Sequence, residues 1–317
     1  MSILPTLIVH GGCHDRPIDD IDPHVEGSQA ACATGYEVLQ EGGSALDAVR
    51  AAIRVLEDNP IFDAGTGSFP NIFGDIEMDA LLATSDGQLG GVAGISRVQY
   101  PIDVAFNVMT RTPHVLLVGD GATQFARALG VPDYDPSSVE AQVIVEAVNK
   151  HLHSTIQEIL PNYTKLREGL KNTSTVGAVA IDANGLIVAG TSTGGIPQKL
   201  PGRIGDAAIF GAGTYADAHV AASATGFGED IIRLGATRMF GQGVVGGLAA
   251  GKAMAEVINV CSSQHVACGL IGIDTKGDVS AVHNGFLMAS HYQQAGMSAP
   301  ELACEPRGKG EYQPKTN

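Results

Sequence analysis

The feature that most constrains the fold is a pair of apolar segments joined by a tight turn. Residues 176–182 and 186–193 are rich in small and β-branched side chains, and residues 183–185 between them read Ala-Asn-Gly. Asn-Gly between two such segments is a strong β-hairpin signal, because both residues tolerate the positive φ that the turn needs. A threonine stands at each end of this predicted hairpin, since Thr175 directly precedes the first strand and Thr193 ends the second.

Thr175 is a candidate nucleophile on chemical grounds. A threonine hydroxyl in mid-chain has no base built in to accept its proton. At a chain N-terminus the residue's own α-amine lies beside the hydroxyl, and its unperturbed pKa of about 7.7–8.0 leaves a large fraction neutral near physiological pH. The chemistry therefore requires cleavage between Ser174 and Thr175. The alternative is an ordinary strand start, since a threonine before alternating small and apolar residues is common in sheets.

Three further motifs accompany the hairpin. Residues 10–12 read His-Gly-Gly after the first predicted strand, residues 201–206 read Pro-Gly-Arg-Ile-Gly-Asp, and residues 225–229 read Thr-Gly-Phe-Gly-Glu. In this order and spacing, the four segments together resemble the plant-type asparaginase and isoaspartyl aminopeptidase family of N-terminal-nucleophile hydrolases. The resemblance extends over most of the chain, from about residue 7 to residue 273.

The resemblance implies an α+β fold, namely a four-layer αββα sandwich in which two stacked sheets are covered by helices. It implies a single domain, residues 1–317, which cuts itself into an α subunit, residues 1–174, and a β subunit, residues 175–317. We expect two such processed units to form a homodimer. The composition and the element pattern alone would only separate α/β and α+β folds from the other classes.

The implied activity is hydrolysis of the β-carboxamide or β-peptide bond of aspartate. β-Aspartyl (isoaspartyl) dipeptides are the first expected substrates and L-asparagine is the second. A glycosylasparaginase-like hydrolase, which removes glycans from asparagine, is one alternative, although Ser174-Thr175 and the spacing of Arg203 and Asp206 favour the plant-type group. The other alternative is an unprocessed amino-acid-binding protein on the same fold, which the unusual Ser174 would support.

The resemblance also implies the catalytic groups. Thr175 would be the nucleophile, and the Thr193 hydroxyl would orient it. Thr225 and the backbone N–H of Gly226 would stabilise the oxyanion. Preorganised donors of that kind contribute about 3–4 kcal/mol each to transition-state stabilisation. Without the resemblance, each threonine would be read as a strand or turn residue.

Arg203 and Asp206 suit the recognition of a free amino-acid end, which carries a carboxylate and an ammonium on one carbon. A guanidinium binds the carboxylate through two hydrogen bonds, and an acid binds the ammonium. Gly228 would allow the backbone to approach the ligand closely and would offer its carbonyl to the ammonium. From this segment alone, an exposed Arg–Asp pair on the surface would be the ordinary interpretation.

The segment from residue 56 to residue 66 resembles the sodium-binding loop of the family. We expect no cofactor for catalysis, and a structural Na⁺ held by backbone carbonyls is the implied metal. Its candidate ligands are Leu56, Glu57, Asn59, Phe62, Ala64 and Thr66.

Three positions depart from the family pattern. Asp63 stands where Asn is common, and its charge is predicted either to favour substrates with a basic leaving residue or to act on the ammonium and the Thr175 amine. Ser174 replaces the usual Gly, which could alter self-cleavage. His283-Asn284-Gly285 replaces the usual Asn-Thr ending of its strand.

Composition and charge exclude several other classes. With 44% hydrophobic and 17% charged residues, the chain has enough apolar material for a large core. A net charge of −15 argues against nucleic acid and anionic membranes as partners. There is no basic and apolar leader pattern, no apolar run of membrane-spanning length and no CxxC spacing. A cytoplasmic enzyme of small-molecule substrates is therefore expected.

The remaining segments give a coarse element pattern. Helices are predicted at 22–40, from Ser44 to about residue 56, and at 101–110 and 120–129, and a strand is predicted at 6–10. A long helix at 138–160 and an exposed linker at 161–174 are expected before the hairpin. After it, helices are predicted near 215–223, 228–235 and 244–260, followed by a hairpin of strands 267–273 and 278–283 and an irregular tail from Ser298.

Overall fold

The computed structural model describes residues 3–14, 18, 20–139, 143, 155–160, 163 and 175–304. Its strands are β1 (Thr6–His14), β2 (Met78–Thr84), β3 (Leu89–Ile95), β4 (Leu116–Val118), β5 (Val176–Ile181), β6 (Ile187–Thr193), β7 (Thr214–Ala216), β8 (Val220–Gly226), β9 (Cys268–Asp274), β10 (Val279–His283), β11 (Leu287–Gln294) and β12 (Glu301–Leu302). Its helices are α1 (Asp22–Gln40), α2 (Ala45–Asp58), α3 (Pro101–Arg111), α4 (Gly119–Ala128), α5 (Ile156–Ile159), α6 (Gly228–Leu234), α7 (Ala236–Val245) and α8 (Ala250–Ser263).

The predicted hairpin forms the middle of the larger sheet. Among the described residues, this sheet has eight strands in the order β12-β11-β1-β5-β6-β2-β3-β4. β5 pairs antiparallel with β6 on one edge and with β1 on the other. Every residue of β5 and β6 is buried, which explains why both strands read as nearly continuous runs of small and apolar residues.

A second sheet packs against the first. In the part of the chain described, it contains four strands in the order β10-β9-β8-β7, all antiparallel. β8 contacts β5 and β6 of the larger sheet. Part of the contact between the sheets is an apolar cluster that includes Ile8, Val179, Ala189, Ala221 and Ile271. Small side chains at several of these positions let the two sheets approach closely.

Helices cover the faces of the sheets that do not contact each other. α1, α2 and α3 pack on the larger sheet, with Leu7, Val49 and Leu82 in their shared core. α7 and α8 pack on the smaller sheet around Phe240 and Met254. The chain is therefore a mixed α+β protein with two sheets. No helix in the described part of the chain is both long enough and apolar enough to cross a membrane.

The N-terminal helices follow the predicted signals. α1 begins at Asp22-Pro23 and ends at Gln40, as predicted. The Ser44 side chain caps α2 by accepting a 3.1 Å hydrogen bond from the Asp47 N–H. The apolar face of α2 packs inward, because Val49, Ile53 and Leu56 are fully buried.

The helix predicted near 215–223 is wrong, because β7 and β8 occupy this segment. Alanine at 221, 222 and 224 favours a helix by intrinsic propensity. In the fold this segment lies between the larger sheet and α7, where all seven β8 residues are buried and only small side chains fit. Tertiary packing therefore overrides propensity. The prediction also missed most of α7, and the predicted helix at 244–260 begins later, at Ala250.

β1 and its surroundings differ from the prediction in two ways. β1 continues through the two glycines to His14, with an irregularity in register between His10 and Cys13. Its outer neighbour is β11, which was not predicted as a strand. Most of the predicted helix at 138–160 and of the predicted linker at 161–174 lies outside the described residues. Within the range of the predicted helix, α5 is described.

Candidate active site

The register of the hairpin brings Thr175 and Thr193 together. Val176 pairs with Ser192, so the two threonines lie opposite each other one step further along β5 and β6. The Thr175 hydroxyl donates a 3.2 Å hydrogen bond to Thr193 Oγ1. The same oxygen accepts a 3.0 Å hydrogen bond from the Gly195 N–H. The Thr193 hydroxyl is thus fixed from two sides and sits beside the predicted nucleophile.

Thr175 is 5% exposed at the beginning of a central strand. Burial excludes most water from the hydroxyl and fixes its direction, which is what a nucleophile requires. Ser174 lies outside the described residues, so Thr175 is the residue of the predicted cleavage site whose position the structure describes. Self-cleavage therefore stays a prediction.

Arg203 is held by Glu229, the last residue of the predicted motif at 225–229. Its Nε and Nη2 donate to the two carboxylate oxygens of Glu229 at 3.2 and 2.9 Å. Burial acts to lower the pKa of Arg203, but the hydrogen bonds and charge of Glu229 outweigh it and raise that pKa. Nη1 lies towards Gly195, where an added methyl carbon would be 3.4 Å away. Nη1 is therefore the guanidinium nitrogen that Glu229 leaves unbonded.

Asp206 and Gly228 adjoin Arg203, as predicted for an amino-acid site. A methyl carbon added at Gly228 would lie 2.7 Å from Arg203 Nη2 and 2.9 Å from Asp206 Oδ1, so only glycine fits beside both. Asp206 is 2% exposed, and its Oδ2 has no hydrogen-bond partner among the described residues. Burial raises the pKa of Asp206 to about 7, although Arg203 acts to lower it. An unpartnered buried carboxyl beside a guanidinium is suited to an ammonium ligand.

Asp63 lies next to the loop that follows Thr193. Its backbone carbonyl accepts from the Gly194 N–H at 2.8 Å, and its Oδ1 accepts from the Phe69 N–H at 2.9 Å. It is 1% exposed, and no described residue bonds to its Oδ2. Burial raises the pKa of Asp63 to about 7, against lowering contributions from Phe69, Lys199 and Arg203.

Thr225 and Gly226 end β8, in the smaller sheet. Thr225 is fully buried, and its Oγ1 accepts a 3.0 Å hydrogen bond from the Cys13 N–H. This bond joins the end of β8 to the glycine segment of β1. Because the oxygen accepts from the backbone, the hydroxyl proton is directed elsewhere and can serve as a donor. Gly228 follows two residues later, so the same segment reaches Arg203.

In the predicted cation loop, some backbone carbonyls accept hydrogen bonds from described residues and others do not. The Leu56, Glu57 and Asn59 carbonyls accept backbone hydrogen bonds from Asn59, Thr66 and Phe62, respectively. No described residue donates to the carbonyls of Phe62, Ala64 or Thr66. The Glu57 side chain is engaged elsewhere, because Oε1 accepts from Ser192 Oγ at 2.6 Å and from the Ile102 N–H at 3.1 Å.

A neutral set of backbone oxygens fits a monovalent cation, and the free carbonyls leave three such positions. Burial raises the pKa of Glu57 well above its ordinary value, so its side chain adds no reliable anionic ligand. The candidate ligands for Na⁺ in this loop are therefore backbone carbonyls rather than side chains, and the cation itself stays a prediction.

Several residues at the site had no sequence signal. Lys199 is 0% exposed, and its ammonium lies near Asp79 and Asp63. Asp79 accepts 2.8 Å hydrogen bonds from the N–H groups of Gly94 and Gly205. A lysine in a polar loop and an aspartate in a strand are both ordinary in sequence, and only their burial side by side distinguishes them.

A buried polar chain runs between the two sheets behind Thr175. His10 Nε2 lies 2.9 Å from Ser223 Oγ, which lies 2.8 Å from Thr191 Oγ1. Thr214 donates to Thr191 at 2.7 Å. Burial lowers the pKa of His10 to about 3, and the backbone of Thr175 opposes this shift. The imidazole is therefore neutral at physiological pH and belongs to the hydrogen-bonded core.

Comparison with known proteins identifies the family. The sequence model of the Asparaginase family matches residues 3–300. The chain therefore belongs to the Asparaginase family, which confirms the resemblance seen in its motifs.

The relatives carry two kinds of name. The chain is 42% identical over 304 residues to "Plant-type L-asparaginase" of Pyrococcus furiosus, covering 93% of this chain and 98% of the relative. It is 41% identical over 307 residues to the protein of the same name from Thermococcus kodakarensis, covering 94% and 99%. It is 41% identical over 238 residues to "Isoaspartyl peptidase/L-asparaginase" of Homo sapiens, covering 74% and 75%.

Proposed function

We propose that this chain is a self-processing N-terminal threonine hydrolase that cleaves β-aspartyl dipeptides and L-asparagine. The observation that carries the proposal is the buried Thr175–Thr193 hydrogen bond at the start of β5. The names of the relatives, which cover both asparaginase and isoaspartyl peptidase, support the substrate class.

The reaction follows from the groups around Thr175. Once Thr175 is a chain terminus, its neutral α-amine accepts the hydroxyl proton, and Oγ1 attacks the β-carbonyl carbon of the substrate. Thr225 and the Gly226 N–H would donate to the resulting oxyanion. The intermediate expels ammonia or an amino acid, which takes the proton from the amine. Water then hydrolyses the ester on Thr175 and releases aspartate.

Recognition of the aspartyl end rests on two opposite charges. The edge of Arg203 that Glu229 leaves open would bind the α-carboxylate through paired hydrogen bonds. The unpartnered Oδ2 of Asp206, with the Gly228 carbonyl, would accept from the α-ammonium. A substrate without a free ammonium would leave Asp206 buried and unpaired, and should be rejected.

The finer architecture belongs to the same proposal. Helices on the outer faces and two sheets in contact support a four-layer αββα sandwich made by a single domain. Na⁺ bound by the loop 56–66 would supply a fixed charge that rigidifies this loop, and the loop residues Asp63 and Glu57 reach the neighbours of Thr193. We also propose a homodimer of processed units and a cytoplasmic location.

The test is a substrate panel with the wild-type protein and Thr175→Ala. Wild type should hydrolyse β-aspartyl dipeptides and asparagine, reject the N-acetylated dipeptide, and show a fragment that begins at Thr175 by mass spectrometry. Thr175→Ala should remain intact and inactive. An intact wild-type chain with full activity would contradict the mechanism, and binding of aspartate without turnover by a single unprocessed chain would favour an amino-acid-binding protein. Release of aspartate from glycosylated asparagine alone would identify a glycosylasparaginase-like enzyme.

The same panel tests the role of Asp63. If its carboxylate favours a basic leaving residue, Asp63→Asn should reduce kcat/KM for β-aspartyl-lysine and β-aspartyl-arginine more than for neutral dipeptides, most strongly at low salt. A uniform change across the panel would assign Asp63 to the common part of the site instead.

A further inference from the structure

Lys199 is a buried lysine close to the loop that follows Thr193. It lies in the loop between β6 and β7 and is 0% exposed. Its Nζ donates to the Gly194 carbonyl at 2.9 Å and also to the Glu77 carbonyl. Burying an ammonium costs free energy unless it is hydrogen-bonded and paired with opposite charges. The groups that Lys199 contacts therefore indicate its role.

One peptide unit separates this ammonium from the threonines. The carbonyl that accepts from Lys199 belongs to Gly194, and the N–H of the same peptide belongs to Gly195. That N–H donates to Thr193 Oγ1 at 3.0 Å, and Thr193 Oγ1 accepts from the Thr175 hydroxyl at 3.2 Å. Lys199, the Gly194–Gly195 peptide, Thr193 and Thr175 therefore form one continuous hydrogen-bonded chain.

The two glycines make room for this arrangement. A methyl carbon added at Gly195, where φ is +94°, would lie 2.9 Å from Lys199 Nζ. At Gly194 it would lie 2.2 Å from Asp63 Oδ1. Side chains at either position would separate the peptide from the charged groups that hold it.

Fixed charges surround the ammonium. Burial lowers the pKa of Lys199, and Arg203 adds to this lowering, while Asp79, Glu77 and Asp63 partly oppose it. Asp79 is itself anchored by the N–H groups of Gly94 and Gly205, and it pairs with Thr193 in the β2–β6 register. The cation is thus held in one place relative to β6.

We propose that Lys199 is a positioning residue that acts on Thr175 through the Gly194–Gly195 peptide and Thr193; this role rests on the proposed function. Donation by a cation to a carbonyl polarises the amide and strengthens its N–H as a donor, because hydrogen bonds in a chain reinforce one another. The strengthened N–H fixes Thr193 Oγ1. When the Thr175 proton passes to the α-amine, the Thr193 hydroxyl can donate to the Thr175 oxygen that loses it.

The test compares Lys199→Met with the matched surface variant Lys252→Met, whose side chain is exposed. Lys199→Met should lower kcat about 10-fold or more, as misplacement of catalytic groups does, with KM changed less than about threefold. Lys252→Met should match wild type. Rates are normalised to the processed fraction, and in a variant that stays unprocessed the rate of self-cleavage is compared instead.

A double-mutant cycle separates this role from a purely structural one. Because Lys199 acts through Thr193, adding Thr193→Ala to Lys199→Met should cost far less than Thr193→Ala costs in wild type. Independent losses that multiply would overturn the proposal. Lys199→Met/Asp63→Asn, compared with Asp63→Asn alone, removes the ammonium without leaving the Asp63 carboxylate opposite an apolar side chain. Full activity in this folded double variant would also overturn the proposal.

A measurement on the wild-type chain needs neither a variant nor turnover. The Gly195 amide proton, followed by ¹⁵N NMR, should resonate downfield and move upfield as Lys199 loses its proton at high pH. A Gly195 resonance that does not change through the lysine titration would overturn the proposal. If the wild-type protein hydrolyses no β-aspartyl substrate while this resonance behaves as expected, the proposed function fails and the hydrogen-bonded chain stands.

Discussion

Two buried carboxyl groups lie in the candidate site, and burial raises the pKa of both. Asp63 and Asp206 each have a pKa near 7, mainly because desolvation disfavours the carboxylate. Both also keep one oxygen without a hydrogen-bond partner among the described residues. The two groups differ in their neighbours, since Asp206 adjoins Arg203 and Gly228 whereas Asp63 adjoins the Gly194 loop. They should therefore respond differently to substitution.

Binding of the product aspartate should depend on the charge of Asp206. The carboxylate form accepts from the ligand ammonium, so affinity should fall as the pH drops through about 7. Between pH 8 and pH 6 the inhibition constant for aspartate should rise about tenfold. Asp206→Asn should bind weakly at both pH values, and Asp63→Asn serves as the control that keeps the pH dependence. Loss of the dependence in Asp63→Asn instead would assign it to Asp63.

Asp63 should make the folded protein less stable as the pH rises. Its folded pKa of about 7 lies above the ordinary value of 3.8, so between these values the folded chain binds more protons than the unfolded chain. The free energy of unfolding therefore falls as pH increases through this window. Asp63→Asn should raise Tm at pH 8 and have a smaller effect at pH 5, as measured by thermal melts. The exposed Asp278→Asn variant is the control, and an equal Tm change at both pH values would contradict the expectation.

At the scale of elements, local signals located the hairpin and the N-terminal helices. Asn-Gly, the Ser44 cap and Asp22-Pro23 act within a few residues, so the turn and helix starts that they produce can be predicted from the sequence. β8 was missed because alanine favours a helix locally and only packing between two layers selects a strand. β11 was missed because its partner β1 lies nearly the whole chain away.

The same distinction applies to the site. Threonines, Arg203 and Asp206 stand in motifs, so the family resemblance found them. Several contacts around these residues come from elements distant in sequence, as with Asp79 of β2, which accepts from the Gly205 N–H. Glu229 belongs to the motif at 225–229, yet only its 2.9 Å contact with Arg203 shows that it holds the guanidinium. Contacts across elements have no periodicity or spacing that sequence reasoning can use.

The packing of the two sheets depends on Gly177 in β5. A methyl carbon there would lie 2.1 Å from Ser223 Oγ and 2.5 Å from His10 Nε2. Gly177→Ala should lower the stability by about 1–3 kcal/mol through overpacking, seen as a lower midpoint in urea. Gly121→Ala is the matched control, since nothing lies within 4 Å of its added carbon and a helical alanine should be neutral or stabilising. An equal midpoint for both variants would contradict close packing at Gly177.

At the scale of the whole molecule, the two predicted subunits are interleaved. β1, from the first segment, lies between β5 and β11, which both belong to the second. β2, also from the first segment, pairs with β6. α2 packs on β5 and β6. The hydrophobic core is therefore shared by both segments, and a cut before Thr175 removes no strand pairing within the described residues.

The cleaved protein should consequently behave as one folded unit. Under native conditions, fragments 1–174 and 175–317 should elute together in size exclusion, and they should separate only on a denaturing gel. Unfolding in urea should be a single transition for both fragments, because the eight-stranded sheet takes strands from both and the smaller sheet packs against it. Thr175→Ala, which stays uncleaved, should show one band and a similar far-UV spectrum. Elution of the two wild-type fragments as separate species, or two separate unfolding transitions, would show that the segments fold independently and would contradict the shared core.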